Sequence, residues 1–120
     1  MERKRTIMEI KTELVRLNAS YHETRGELTA VNTLLQQEYE LVEAQIALDK
    51  ENISILEEKI RSYDGAQEGL DDLQSAHANY SKSVIQNIGH LEDLKKSMKD
   101  NVKAIREMEI DLRLLLNEAA

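Results

Sequence analysis

Midway along the chain the sequence reads Tyr63-Asp64-Gly65-Ala66-Gln67-Glu68-Gly69-Leu70. Asp-Gly is a turn dipeptide, and each of two glycines four apart weakens a helix by about 1 kcal/mol relative to Ala. Both flanks carry a helical pattern. Upstream, Ile7, Ile10, Leu14, Leu17, Tyr21, Thr24, Leu28, Val31 and Leu35 follow at alternating intervals of three and four. After one extra step of four the row continues as Tyr39, Val42, Ile46, Asp49, Ile53, Leu56, Ile60 and Tyr63. Downstream it resumes as Leu70, Leu73, His77, Tyr80, Val84, Asn87, Leu91, Leu94, Met98, Asn101, Ile105, Met108, Leu112, Leu115 and Ala119. A narrow apolar row sustained over many heptads is the coiled-coil pattern.

The phase slips at the glycines. Leu73 comes one residue earlier than the rhythm of Ile60 and Tyr63 requires. A slip near mid-chain with arms of similar length on either side predicts a helical hairpin, whose loop fits the usual two to eight residues. The competing reading is one continuous helix with a stammer, about 180 Å long at 1.5 Å per residue. The expected fold is therefore all-α, a long coiled coil, with the hairpin preferred over the rod. Its parts are a first helix over 1–63, a turn over 64–69 marked by Asp64, Gly65 and Gly69, and a second helix over 70–120. The extra step between Leu35 and Tyr39 is a stutter, which locally unwinds a left-handed supercoil. Gly26 and Gly89 lie off the seam and are expected to face solvent.

Composition supports this. The 120 residues contain no Pro, Cys, Trp or Phe, and 32% are charged, with a net charge of −7. A compact globule normally fills its core with large aromatics; here Tyr is the only aromatic. Zero Pro suits long helix. A single apolar seam gains its burial, on the order of 1.5–3 kcal/mol per Leu or Ile, only against another helix. Association, within the chain or between chains, is how such a sequence folds.

Polar residues on the seam restrict pairing. Thr24, Asp49, His77, Asn87 and Asn101 interrupt the apolar row, and a polar residue there selects register because a wrong alignment sets it against Leu or Ile. In a hairpin folded near residue 66, Asn87 is expected near Gln45, as an amide pair. His77 is the only seam imidazole; it is read as a tolerated polar layer, the alternative being a switch in which protonation weakens pairing. All four tyrosines, Tyr21, Tyr39, Tyr63 and Tyr80, fall on the seam and require partners for their hydroxyls.

Chemistry is sparse. No Cys means no disulfide, thiol or Cys-zinc site. His22, His77 and His90 have no ligand spacing, and His22-Glu23-Thr24-Arg25-Gly26 has Gly where a metalloprotease motif needs its second His. Gly65 and Gly69 are not followed by the Lys-Ser/Thr of a phosphate loop. We expect no enzyme, no metal and no cofactor. The acidic balance disfavours nucleic acid. Lys95, Lys99 and Lys103 share a face, and Arg3-Lys4-Arg5 make a second basic cluster; either offers at most a weak electrostatic membrane contact. No secretory signal or membrane-spanning run is present, so the sequons at Asn18, Asn52 and Asn79 are read as chance and the setting as cytoplasmic. Leu114 and Leu116 widen the apolar face beside Leu112 and Leu115. Strong helical pattern near both ends suggests a segment of a longer protein. The expected task is that of a coiled-coil oligomerisation or scaffold segment, a rigid spacer joining a dimer or tetramer and docking partners in a cytoskeletal or membrane-traffic setting. The alternative is a monomeric hairpin that docks a helix of another protein.

Overall fold

The computed structural model describes residues 6–119 and is an all-α helical hairpin. Helix α1 spans Ile7–Arg61 and helix α2 spans Gln67–Ala119. The basic cluster at Arg3-Lys4-Arg5 and the side chain of Ala119 lie outside the described residues. Helix α1 starts on a capping signal: the Thr6 hydroxyl accepts the Glu9 N–H at 3.1 Å, and the Thr6 carbonyl accepts the Ile10 N–H at 3.1 Å. This leaves Glu9 in the first turn, where its charge suits the helix dipole, as Lys59 and Arg61 do in the last.

The break between helices occupies residues 62–66, earlier than the 64–69 expected. Gly69 is helical, in the first turn of α2. The Ala66 carbonyl begins that turn, accepting the N–H of Gly69 at 3.1 Å and of Leu70 at 3.4 Å. The Tyr63 hydroxyl donates to the same carbonyl at 2.7 Å, which lays its ring across the corner. A methyl at Gly65 would stand 2.6 Å from that hydroxyl, and one at Gly69 would overlap it. Neither glycine has a positive φ. They are needed here for space, so that a tyrosine can cross the turn, rather than for unusual backbone.

Two units pack separately. Gln36–Lys96 carries the turn, and the start of α1 up to Leu35 packs with α2 from Ser97. Within the first, Glu57 meets His77, Asp49 meets Ser83, and Glu38 meets His90. These pairs can form together only between antiparallel helices. Within the second, Asn32 meets Asn101 and Tyr21 meets Glu109, again antiparallel.

The seam residues turn inward. Ile10, Tyr21, Ile46, Val84, Leu94 and Leu115 are buried. Thr24 and nearly all the other expected seam positions are half-buried: Leu14, Leu17, Leu28, Leu35, Tyr39, Val42, Ile53, Leu56, Ile60, Leu70, Leu73, Tyr80, Leu91, Met98, Ile105, Met108 and Leu112. Two seam assignments are corrected. Ile7, in the first turn of α1, is exposed. Val31 is 43% exposed, and its neighbour Asn32 takes the inward place. The inward row therefore runs Thr24, Leu28, Asn32, Leu35, Tyr39, and the doubled step of four sits at Leu28–Asn32 instead of between Leu35 and Tyr39. The cause is a hydrogen-bonding demand that hydrophobicity does not register: Asn32 is drawn in by partners on α2.

Gly26 and Gly89 have open space where a side chain would go. Gly26→Ala and Gly89→Ala should each raise the unfolding free energy by up to about 1 kcal/mol. Gly69→Ala should gain less, because it displaces Tyr63 from Ala66, a bond worth about 0.5–1.5 kcal/mol. Urea denaturation checks this, and the deficit at Gly69 should vanish in a Tyr63→Ala background.

Candidate functional site

Asp49 occupies an inward position of α1 and is only 2% exposed, the one buried polar or charged residue among those described. Burying a carboxyl group is costly unless its oxygens are satisfied. Both are: Gln45 Nε2 donates to Oδ1 at 2.9 Å from one turn earlier, and Ser83 Oγ donates to Oδ2 at 2.8 Å from α2. Asn87 Nδ2 in turn approaches the Ser83 hydroxyl at 3.5 Å. The expected Gln45–Asn87 amide pair is thus not formed. Both amides serve the Asp49–Ser83 contact instead, because a carboxyl group left with one donor is the more expensive vacancy. A surface cleft beside this cluster is lined by Ala76, Asn79 and Tyr80.

The second polar layer lies at Asn101, whose Nδ2 donates to Asn32 Oδ1 at 2.8 Å while Asn32 Nδ2 donates to the Met98 carbonyl at 3.2 Å. Neither Asn32 nor Ser83 stood out in the sequence, since Asn32 is off the hydrophobic rhythm and a single Ser carries no pattern. A polar residue one step out of phase beside a stutter is the signal that would have found Asn32.

The histidines sit at the rim. His77 Nε2 meets Glu57 Oε1 at 3.1 Å and His90 Nε2 meets Glu38 Oε1 at 3.0 Å, with all four side chains partly exposed. His77 thus makes a polar contact across the helices at the edge of the seam. The Tyr21 hydroxyl donates to Glu109 Oε1 at 2.7 Å. Acceptance of that bond by Glu109, then burial, then the charge of Glu109 raise the Tyr21 pKa above the ordinary tyrosine value, against a lowering by Arg25.

No group of three or more His, Asp or Glu poised to hold a metal stands among the described residues. Lys95, Lys99 and Lys103 are exposed, as expected of a solvated face, and Leu114 and Leu116 flank buried Leu115 from the outside. Among the described residues, no helix is long and apolar enough to cross a membrane.

Among the exposed apolar side chains that neither the seam nor its polar layers explain, one set forms a row. Leu41, Leu48 and Ile55 recur every seventh residue on α1 and are exposed, by 71%, 54% and 45%. Exposed Ala44 and Ala47 lie between them. This second stripe is on the side of α1 turned away from α2. Set against protein-family models, curated proteins and solved structures, the chain matches none.

Removing the Asp49 carboxyl takes the cross-helix acceptor from Ser83 and the partner from Gln45, so Asp49→Ala should lower stability by about 1–3 kcal/mol. Asp49→Leu combined with Ser83→Ala should recover most of that loss in urea denaturation, because both partners are then apolar. Tyr21 gives a pH test. Its folded-state pKa is raised, so its contribution is complete below the unfolded value, about 10, and is lost as pH rises through the folded one. The wild type should therefore lose stability relative to Tyr21→Phe in alkaline melts above about pH 10, with no such divergence near neutrality.

Proposed function

We propose that this protein is a non-enzymatic helical association module, a spacer that self-associates and docks partners as part of a larger assembly. One observation carries the reading. The hairpin closes its main seam within the chain, yet α1 keeps a second heptad row of large apolar residues, Leu41, Leu48 and Ile55, on its surface. Exposed apolar side chains are ordinary when scattered, but a row at heptad spacing along one helix is the arrangement a further helix covers. The half-exposed seam points the same way, since two helices shield each seam residue from one side only.

The polar layers fit a scaffold. Asp49–Ser83 within one unit and Asn32–Asn101 within the other each fix the register of the two helix segments that they join. The module takes protein partners, not nucleic acid, and any contact with anionic lipid through Lys95, Lys99 and Lys103 is weak because acidic residues are interspersed. A cytoplasmic setting, cytoskeletal or in membrane traffic, is compatible with this composition.

A second reading draws on the same closure. A seam satisfied within the chain lets the hairpin fold as a monomer, which then docks a helix of a different protein. Sedimentation velocity over a wide concentration range separates the two. Mass rising to a dimer or tetramer at constant helicity is the expected result. A fully helical monomer at every concentration would overturn self-association and leave the monomeric docking module.

A further inference from the structure

We propose that the outer face of α1 between Glu38 and Arg61 is a homotypic docking surface that takes the same face of a second copy of this chain, antiparallel. The inference rests on the self-associating reading above and names its face, partner and direction.

The stripe itself is built for helix packing. Large and smaller side chains alternate along it as Leu41, Ala44, Leu48, Glu51 and Ile55, at steps of three and four. Ala44 lets a second backbone approach closely, and the leucines fill the space on either side. All five are exposed.

The charges on its flanks determine the occupant. One flank runs Glu38, Gln45, Asn52, Lys59, and the other runs Glu40, Ala47, Ser54, Arg61. Both pass from acidic through neutral to basic in the same direction. A surface graded this way is complementary to itself only when reversed. Laid antiparallel with Ala44 opposite Ile55 of the second copy, Glu38 falls beside Lys59 and Glu40 beside Arg61 of that copy. Gln45 falls beside its Asn52. The twofold repeats each pair, as an isologous interface requires. Sliding by one heptad, to Ala44 opposite Leu48, moves Glu38 to Asn52 and Glu40 to Ser54 and forfeits the ion pairs. Parallel pairing sets Glu40 beside Gln45 and Lys59 beside Ser54 of the second copy, forfeiting the ion pairs, and places Glu51 against Glu51.

Glu38 can take part without leaving the hairpin, since only its Oε1 receives His90. Lys59 and Arg61 have no ion-pair partner among the described residues. Glu51 and Glu58 meet Leu48 and Leu41 of the second copy. There their methylene stems cover the leucines while the carboxylates reach solvent. That arrangement makes the contact reversible rather than permanent.

Charge exchange tests the proposal on the whole chain. Variant one carries Glu38→Lys and Glu40→Lys; variant two carries Lys59→Glu and Arg61→Glu. All four positions are exposed, and circular dichroism verifies that the helices persist. Sedimentation of the wild type should show a dimer. Each variant alone should dimerise about tenfold more weakly or worse, and an equimolar mixture should recover affinity as a heterodimer, because every pair is then of opposite sign. Leu41→Gln with Leu48→Gln should abolish the dimer. In an Ala47→Cys, Ser54→Cys chain, mild oxidation should join residue 47 to residue 54 of the other copy. A dimer indifferent to all these changes overturns the proposed face while leaving self-association standing. A wild type that stays monomeric at roughly millimolar concentration overturns both.

Discussion

Each helix of this protein turns one narrow apolar stripe toward the other, and a pair of helices can shield such a stripe only from the side on which they touch. The rest of the structure follows from that limit. The seam closes within the chain, yet most of its residues stay half-buried because nothing covers their outer edges. Without Phe or Trp, the largest side chains on the seam are tyrosines, whose hydroxyls need polar partners. Polar contacts therefore bear much of the burden of making one alignment better than its neighbours.

Those contacts divide the work. A heptad of Leu and Ile is nearly the same after a shift of seven residues, so apolar packing alone discriminates poorly between registers. Asp49 with Ser83 and Asn32 with Asn101 remove the degeneracy. Any slip sets the buried Asp49 carboxyl or a half-buried asparagine amide against hydrocarbon, which costs more than a slipped leucine gains. The turn adds its own constraint. Tyr63 crosses the corner and bonds to the first carbonyl of α2, and two glycines clear its path. The corner is a packed structure with a defined geometry, not merely a place where helix propensity fails.

The outer face of α1 follows a different logic. A helix meant only to cover its hairpin partner would present polar residues outward along its whole length. Here Leu41, Leu48 and Ile55 break that rule on the side away from α2. They have the spacing of a second seam, and their flanking charges are graded along the helix. Burial of the first seam and exposure of the second are compatible because the two stripes lie on nearly opposite sides of one helix. α1 can thus belong to two interfaces at once.

The sequence by itself determined the helices, the seam and the presence of a bend. These are local or periodic properties, set by side-chain spacing, by the absence of Pro and by the glycines near mid-chain. From Ile10 to Leu115 the heptad row picks out the inward residues with few exceptions. Tertiary structure alone decided which polar groups meet and, through them, the local phase. Asn32 displaces Val31 from the seam because an amide with two partners on α2 outweighs a valine with none. Ser83, rather than the amide of Asn87, goes to Asp49, because a hydroxyl on the facing helix reaches the second carboxyl oxygen. His77 meets Glu57 at the rim, not apolar neighbours in the seam. Each outcome depends on where a second helix sets its atoms to within an ångström, and no spacing within one helix encodes that distance.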